Sequence, residues 1–240
     1  MRLPDNSDDV LVKETLLVSL LSVRIRNLKT LLVLLLVGVS LVHAEADQAG
    51  QEPPVILVVG DSISAGFGIP IQQGWVALLE QRLQQRVPAV QIINASISGD
   101  TTQGGVARLP NLIRQHQPDL LLIELGGNDG LRGMPLSLVR NNLNRMIEMA
   151  EKEGVMVMLL GMQIPPNYGP DYAQGFANIY TKLASQRDTL LVPFLLENVA
   201  TQPGLMQADG IHPTVEAQPI MMQAVVDELD VWIEFVTNQS

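Results

Sequence analysis

Val55-Ile56-Leu57-Val58-Val59-Gly60-Asp61-Ser62 is a run of five aliphatic residues that stops at a glycine and opens into polar chain. A run this short, apolar at both alternations, fits a β-strand buried on both faces. Four more follow, at 90–93, 120–125, 155–160 and 189–192, each bounded by Gly, Asn, Asp or Pro. Between them lie stretches with helical spacing of apolar residues: 75–86, 105–117, 136–153 and 172–187, with a last helix from about 219 to 235. Val139, Leu143, Ile147 and Ala150 mark one face of the third. Strands alternating with helices predict right-handed βαβ units and a doubly wound parallel sheet, an α/β fold. In such sheets ligands sit beyond the carboxyl ends of the strands.

The 240 residues suffice for one domain with a real core, and nearly half of them are apolar. A formal net charge of −10, with no basic cluster outside the N-terminus, argues against a nucleic-acid partner. There is no cysteine, which excludes disulfides, thiol nucleophiles and thiolate metal sites. No repeat or low-complexity tract is present.

Residues 31–42, LLVLLLVGVSLV, carry no charge; Arg24, Arg26 and Lys29 precede them and small residues at Ala44 and Ala46 follow. Basic, apolar and cleavable, in that order, is a secretory signal peptide. Twelve residues are too few to cross a ~30 Å bilayer core as a helix, so a stable membrane anchor is not expected. Asp5, Asp8, Asp9 and Glu14 fit a basic leader badly, which places the expected start of the leader downstream, near Val23. The chain then divides into an N-terminal extension and signal peptide, 1–44, and a single domain, 45–240. Cleavage after Ala44 or Ala46 would deliver that domain to the periplasm or the outside.

Four polar blocks stand where strands end. Ser62 follows the first strand between glycines, a place for a nucleophile and equally for a helix cap. It is not the G-x-S-x-G elbow, because Ser64 takes the last glycine position. After the second strand comes Asn94-Ala95-Ser96-Ile97-Ser98-Gly99-Asp100, a polar loop in which the Gly99 N–H could approach a ligand. The third ends in Glu124-Leu125-Gly126-Gly127-Asn128-Asp129-Gly130, a turn in which the Asn128 amide could donate to an oxyanion. Asp209-Gly210-Ile211-His212-Pro213 puts a carboxylate three residues before a histidine, which suits a solvated loop or an oriented imidazole. Only three histidines exist: His43 leaves with the leader, and His116 precedes the third strand at the wrong end of the sheet. His212 is the one imidazole left to serve Ser62.

In that order the blocks GDSISAG, NASISGDTT, LGGNDG and DGIHP resemble the signature blocks of the SGNH (GDSL) hydrolases, over residues 55–235. The stretches 94–101, 125–133 and Pro166-Asn167-Tyr168-Gly169 are most similar to its bacterial periplasmic branch with thioesterase, arylesterase and lysophospholipase activity. Residues 68–93 depart from that pattern in length and composition. The resemblance implies a flavodoxin-like, three-layer α/β/α fold with a five-stranded sheet of order 2-1-3-4-5. It implies Ser62, Asp209 and His212 as the catalytic set, with the oxyanion held by the N–H groups of Ser62 and Gly99 and the Asn128 amide. It implies an acyl ester or thioester as the small-molecule partner and no metal or organic cofactor. Asp61 is expected only to fix its own turn, and the protein is expected to be a monomer. Leu131, Met134 and Ile164, apolar residues near the third and fourth strand ends, are expected to bind the acyl chain, with Gly130 and Gly133 as hinges of a moving loop. Sugar deacetylation would want a more polar cleft, and a non-catalytic lipid carrier would need neither Ser62 nor His212.

Overall fold

The computed structural model describes residues 53–238, so the expected leader and its cleavage site lie outside the described residues. Five strands, β1 (Val55–Gly60), β2 (Gln91–Asn94), β3 (Leu120–Glu124), β4 (Met156–Leu160) and β5 (Leu190–Val192), form one sheet of order β2-β1-β3-β4-β5. Every pairing is parallel, as the expected fold requires. Strand alternation distributes the apolar side chains between two cores. Ile56, Val58, Leu120, Leu122, Met158 and Leu160 pack on one face with α1 (Trp75–Leu83), α6 (Gln218–Asp227) and α7 (Asp230–Asn238). Leu57, Val59, Leu121, Ile123, Val157 and Leu159 pack on the other with α2 (Thr102–His116), α4 (Leu136–Lys152) and α5 (Pro170–Arg187). A sheet covered on both sides can be apolar at every position, which explains the unbroken runs.

The structure departs from the sequence expectations in four places. β2 is an edge strand: Gln91 and Asn94 are exposed and its two isoleucines only partly buried, so one edge lacks the cover of the central strands. Helix α2 starts three residues before the expected 105, because the Thr101 side chain caps it by accepting from the Gly104 N–H at 3.2 Å. Its Gly104-Gly105 pair, poor for helix, is there for close packing: a Cβ on Gly105 would lie 2.8 Å from the Met146 sulfur. The last helix is two, broken at Glu228-Leu229, which buries both Leu229 and Trp232. Lastly, the block 126–131 is not a plain turn but a short helix, α3 (Gly127–Leu131). His116 ends α2, at the amino side of the sheet, as expected. No described helix is long and apolar enough to cross a membrane.

Candidate active site

Ser62 sits two residues past the end of β1, in a tight turn in which the Ala65 N–H donates to the Asp61 carbonyl and the Phe67 N–H to the Ser62 carbonyl, each at 3.0 Å. His212 arrives from the far end of the chain. Its segment is held by the Gln207 N–H donating to the His212 carbonyl (2.8 Å) and by a bridge between Met206 and Pro213. The imidazole Nε2 lies 2.8 Å from Ser62 Oγ, and Nδ1 lies 2.7 Å from Asp209 Oδ2. A carboxylate can only accept, so the proton sits on Nδ1 and Nε2 is left to accept from the serine hydroxyl. The other Asp209 oxygen accepts from the N–H groups of Ile211 (2.9 Å) and His212 (3.0 Å). The bond to the His212 side chain, then those backbone donors, hold the Asp209 carboxyl down at about 2. This keeps it charged, and water reaches the same side chain, which is 39% exposed. Phe67, half exposed, lies tilted against the imidazole with ring centroids 4.4 Å apart.

Asn128 occupies the first turn of α3. One hydrogen of its Nδ2 goes to Asp61 Oδ2 at 3.1 Å, leaving the second for a ligand, while Asp61 Oδ1 accepts from the Ile63 N–H at 3.0 Å. Asp61 therefore does fix its turn, and it also orients Asn128, which the sequence reading did not foresee. Burial pushes its carboxyl up to about 6. Gly99 adopts φ +80°, a conformation that L side chains rarely take. A second carboxyl missed in the sequence is Glu124, wholly buried at the end of β3. Burial, and then the neighbouring Asp61 charge, push it well above the ordinary range. Its signal was available: it is the lone ionisable residue ending an otherwise aliphatic strand.

Ser62, Gly99, Asn128 and His212 all line one cavity of about 720 Å³. Leu131 and Ile164 line it too. Met134 does not. After α3 the chain turns at Gly133 (φ +65°), the Met134 N–H donates back to the Asp129 carbonyl (3.0 Å), and its side chain packs on the core under α4 and α5. The Met134 carbonyl also accepts from the Tyr172 hydroxyl at 2.6 Å. Gly130 is not a hinge either. It is helical and buried, and a Cβ there would lie 2.7 Å from Ile164 Cγ2 and 2.9 Å from Phe176 Cε2. Also lining it, and unanticipated, are Phe194, Leu196, Ala200 and Met206, which follow β5. The rule that ligands sit beyond strand carboxyl ends applied to β5 as well and would have found them.

The family model of the GDSL-like lipase/acylhydrolase family matches residues 58–219. The esterase TesA of Pseudomonas aeruginosa is 54% identical over 170 residues, 71% of this chain and 85% of that one. Thioesterase 1/protease 1/lysophospholipase L1 of Escherichia coli K12 is 42% identical over 174 residues, 72% of this chain and 82% of its own. The crystal structure of TesA superposes with a TM-score of 0.71 at 52% identity, covering 73% of this chain and 98% of the other. Since the matched span runs from β1 through the His212 segment into the start of α6, the chain belongs to the GDSL-like lipase/acylhydrolase family and is a carboxylic ester hydrolase.

Proposed function

We propose that this ester hydrolase cleaves acyl esters and thioesters through an acyl-enzyme on Ser62, with arylesterase, acyl-CoA thioesterase and lysophospholipase substrates in its range. The carrying observation is the serine–imidazole–carboxylate relay whose Ser62 and His212 line a largely apolar cavity. Ser62 Oγ attacks the acyl carbonyl as His212 Nε2 takes its proton, and Asp209 stabilises the resulting imidazolium. The oxyanion is met by the N–H groups of Ser62 and Gly99 and by the free hydrogen of the Asn128 amide. His212 returns the proton to the departing alcohol or thiol, and water repeats the sequence to release the acid. No step needs a metal or organic cofactor. The acyl chain lies in this cavity, against Leu131, Ile164, Phe194 and Leu196.

A fluorophosphonate probe tests the reading: it should label Ser62, and label nothing in Ser62→Ala. Rates on p-nitrophenyl and CoA esters from two to sixteen carbons then rank the substrates. A folded wild-type protein that neither reacts with the probe nor hydrolyses any of these esters would refute it. For the export reading, the basic-apolar-small order of residues 24–46 predicts a periplasmic product beginning at Glu45 or Asp47; a membrane-bound product retaining residues 31–42 would refute it.

A further inference from the structure

Ser62, Gly99 and Asn128 lie on three separate segments, the turns after β1 and β2 and the start of α3 after β3. Backbone pairing between these strands runs out before it reaches them. The last β1–β2 bond is from the Ile97 N–H to the Gly60 carbonyl (3.0 Å), and the last β1–β3 register pair is Gly60 with Glu124. Beyond those points, side chains join the loops pairwise.

Arg108 of α2 joins the first loop to the second. Its Nε donates to Asp100 Oδ2 (2.8 Å), Nη1 to the Ala95 carbonyl, and Nη2 to the Gly60 carbonyl (3.3 Å). One guanidinium thus grips both sides of Gly99 and the backbone two residues before Ser62. Glu124 joins the first loop to the third. Its Oε2 accepts from the Asp61 N–H (3.1 Å), the Ser64 N–H (3.3 Å) and the Ser64 hydroxyl (2.7 Å), bracketing Ser62, and it stands four residues before Asn128 on the same segment. The fit is tight, since a Cβ on Gly60 would lie 2.7 Å from Oε2. Asp129 joins the second to the third. Its two oxygens accept from the Thr102 N–H (2.9 Å) and hydroxyl (2.7 Å), and Asn142 donates to that hydroxyl at 3.0 Å. Thr102 is three residues past Gly99, and Asp129 is next to Asn128.

Of the seven buried polar or charged side chains among the described residues, six (Asp61, Ser64, Thr102, Glu124, Asp129 and Asn142) belong to this network. Burying charge is expensive, and apolar packing at these positions would serve stability as well or better. The polar groups do what packing cannot: they set the loops in one register, with a direction and a length for each bond. We propose that Arg108, Glu124 and Asp129 are positioning residues for ester hydrolysis, which together hold the three oxyanion donors at one mutual spacing. This rests on the assignment of Ser62, Gly99 and Asn128 above. None of the three touches the reacting atoms.

Arg108→Ala should lower kcat about 10²-fold, the scale of a 1 Å misplacement, with KM changed less than about threefold. Added methylguanidinium should restore at least a tenth of the loss, and should do nothing for Ser62→Ala. Arg108→Lys, which keeps the charge but not the three-way fork, should lose kcat at least about tenfold; it stands in if Arg108→Ala fails to fold. Glu124→Gln keeps an acceptor and should hold kcat to within about fivefold, whereas Glu124→Leu should lose about 10²-fold. Folded Arg108→Lys and Glu124→Leu with kcat within threefold of wild type, or losses confined to KM, overturn the proposal while a dead Ser62→Ala leaves the reaction assignment standing. An active Ser62→Ala overturns both.

Discussion

The Asn128 amide donates to the Asp61 carboxyl across 3.1 Å, so the group proposed to meet the oxyanion is itself held by a carboxyl whose proton burial retains up to about pH 6. That shift links stability to pH. A folded-state value above the ordinary 3.8 means that the folded chain binds more protons than the unfolded one between about pH 4 and 6. Stability from this group is therefore present below that window and is lost as pH rises through it. Glu124, also pushed up, acts in the same direction.

Asp61→Asn removes the titrating group, but both carboxyl oxygens accept, so its NH2 must face either Asn128 or the Ile63 N–H. Whatever that costs at pH 4, the mutant should gain on wild type by on the order of 1–3 kcal/mol between pH 4 and pH 8. Thermal melts of both proteins at the two pH values measure this. A gap in Tm that is the same at both would show that folding does not shift the Asp61 carboxyl.

Ser62→Ala and His212→Ala should each lower kcat by roughly 10⁴–10⁶ with the fold intact. Asp209→Asn should cost no more than either. Single-turnover kinetics with circular dichroism as a fold check decides it, and more than a tenth of the activity surviving in Ser62→Ala would mean another nucleophile.

Ile164 lines the cavity and Met134 does not, and the two should separate in chain-length series. Ile164→Ala should shift discrimination between a C12 and a C4 ester by ~1–3 kcal/mol, the value of lost contact with a few methylenes. Met134→Ala should change kcat/KM by the same factor at every length, or only lower Tm. If Met134→Ala also shifts the length preference, its side chain reaches the acyl group.

Gly130→Ala would set a methyl 2.7 Å from Ile164 and 2.9 Å from Phe176. Overpacking of this kind costs ~1–3 kcal/mol, so Tm should fall and long-chain esters should suffer more than short ones, since Ile164 must yield. Gly133→Ala meets nothing within 4 Å but keeps φ +65°; its cost should be about 1 kcal/mol of backbone strain with no effect on chain length. A Gly130→Ala protein as stable as wild type would mean that the α3–α5 contact is looser than the geometry describes.

The strands, the helices and the place of Ser62 were legible in the chain because each depends on local physics. A buried strand must be aliphatic throughout, an amphipathic helix repeats at 3.6, and a loop at a strand's end needs Gly, Asn or Asp. His212 was legible by elimination, because only three histidines exist and two stand in the wrong place. The ties that assemble the loops were not. Glu124 meets Ser64 across 60 positions, and Arg108 reaches Gly60 across 48. A pairing of that span leaves no periodic trace in either segment. Met134 shows the same limit from the other side. Its neighbours in sequence suit a cavity wall, and one turn at Gly133, closed by a bond back to Asp129, sends its side chain into the core. Composition says that a side chain must be buried; which of two apolar environments receives it is settled only when distant elements have packed.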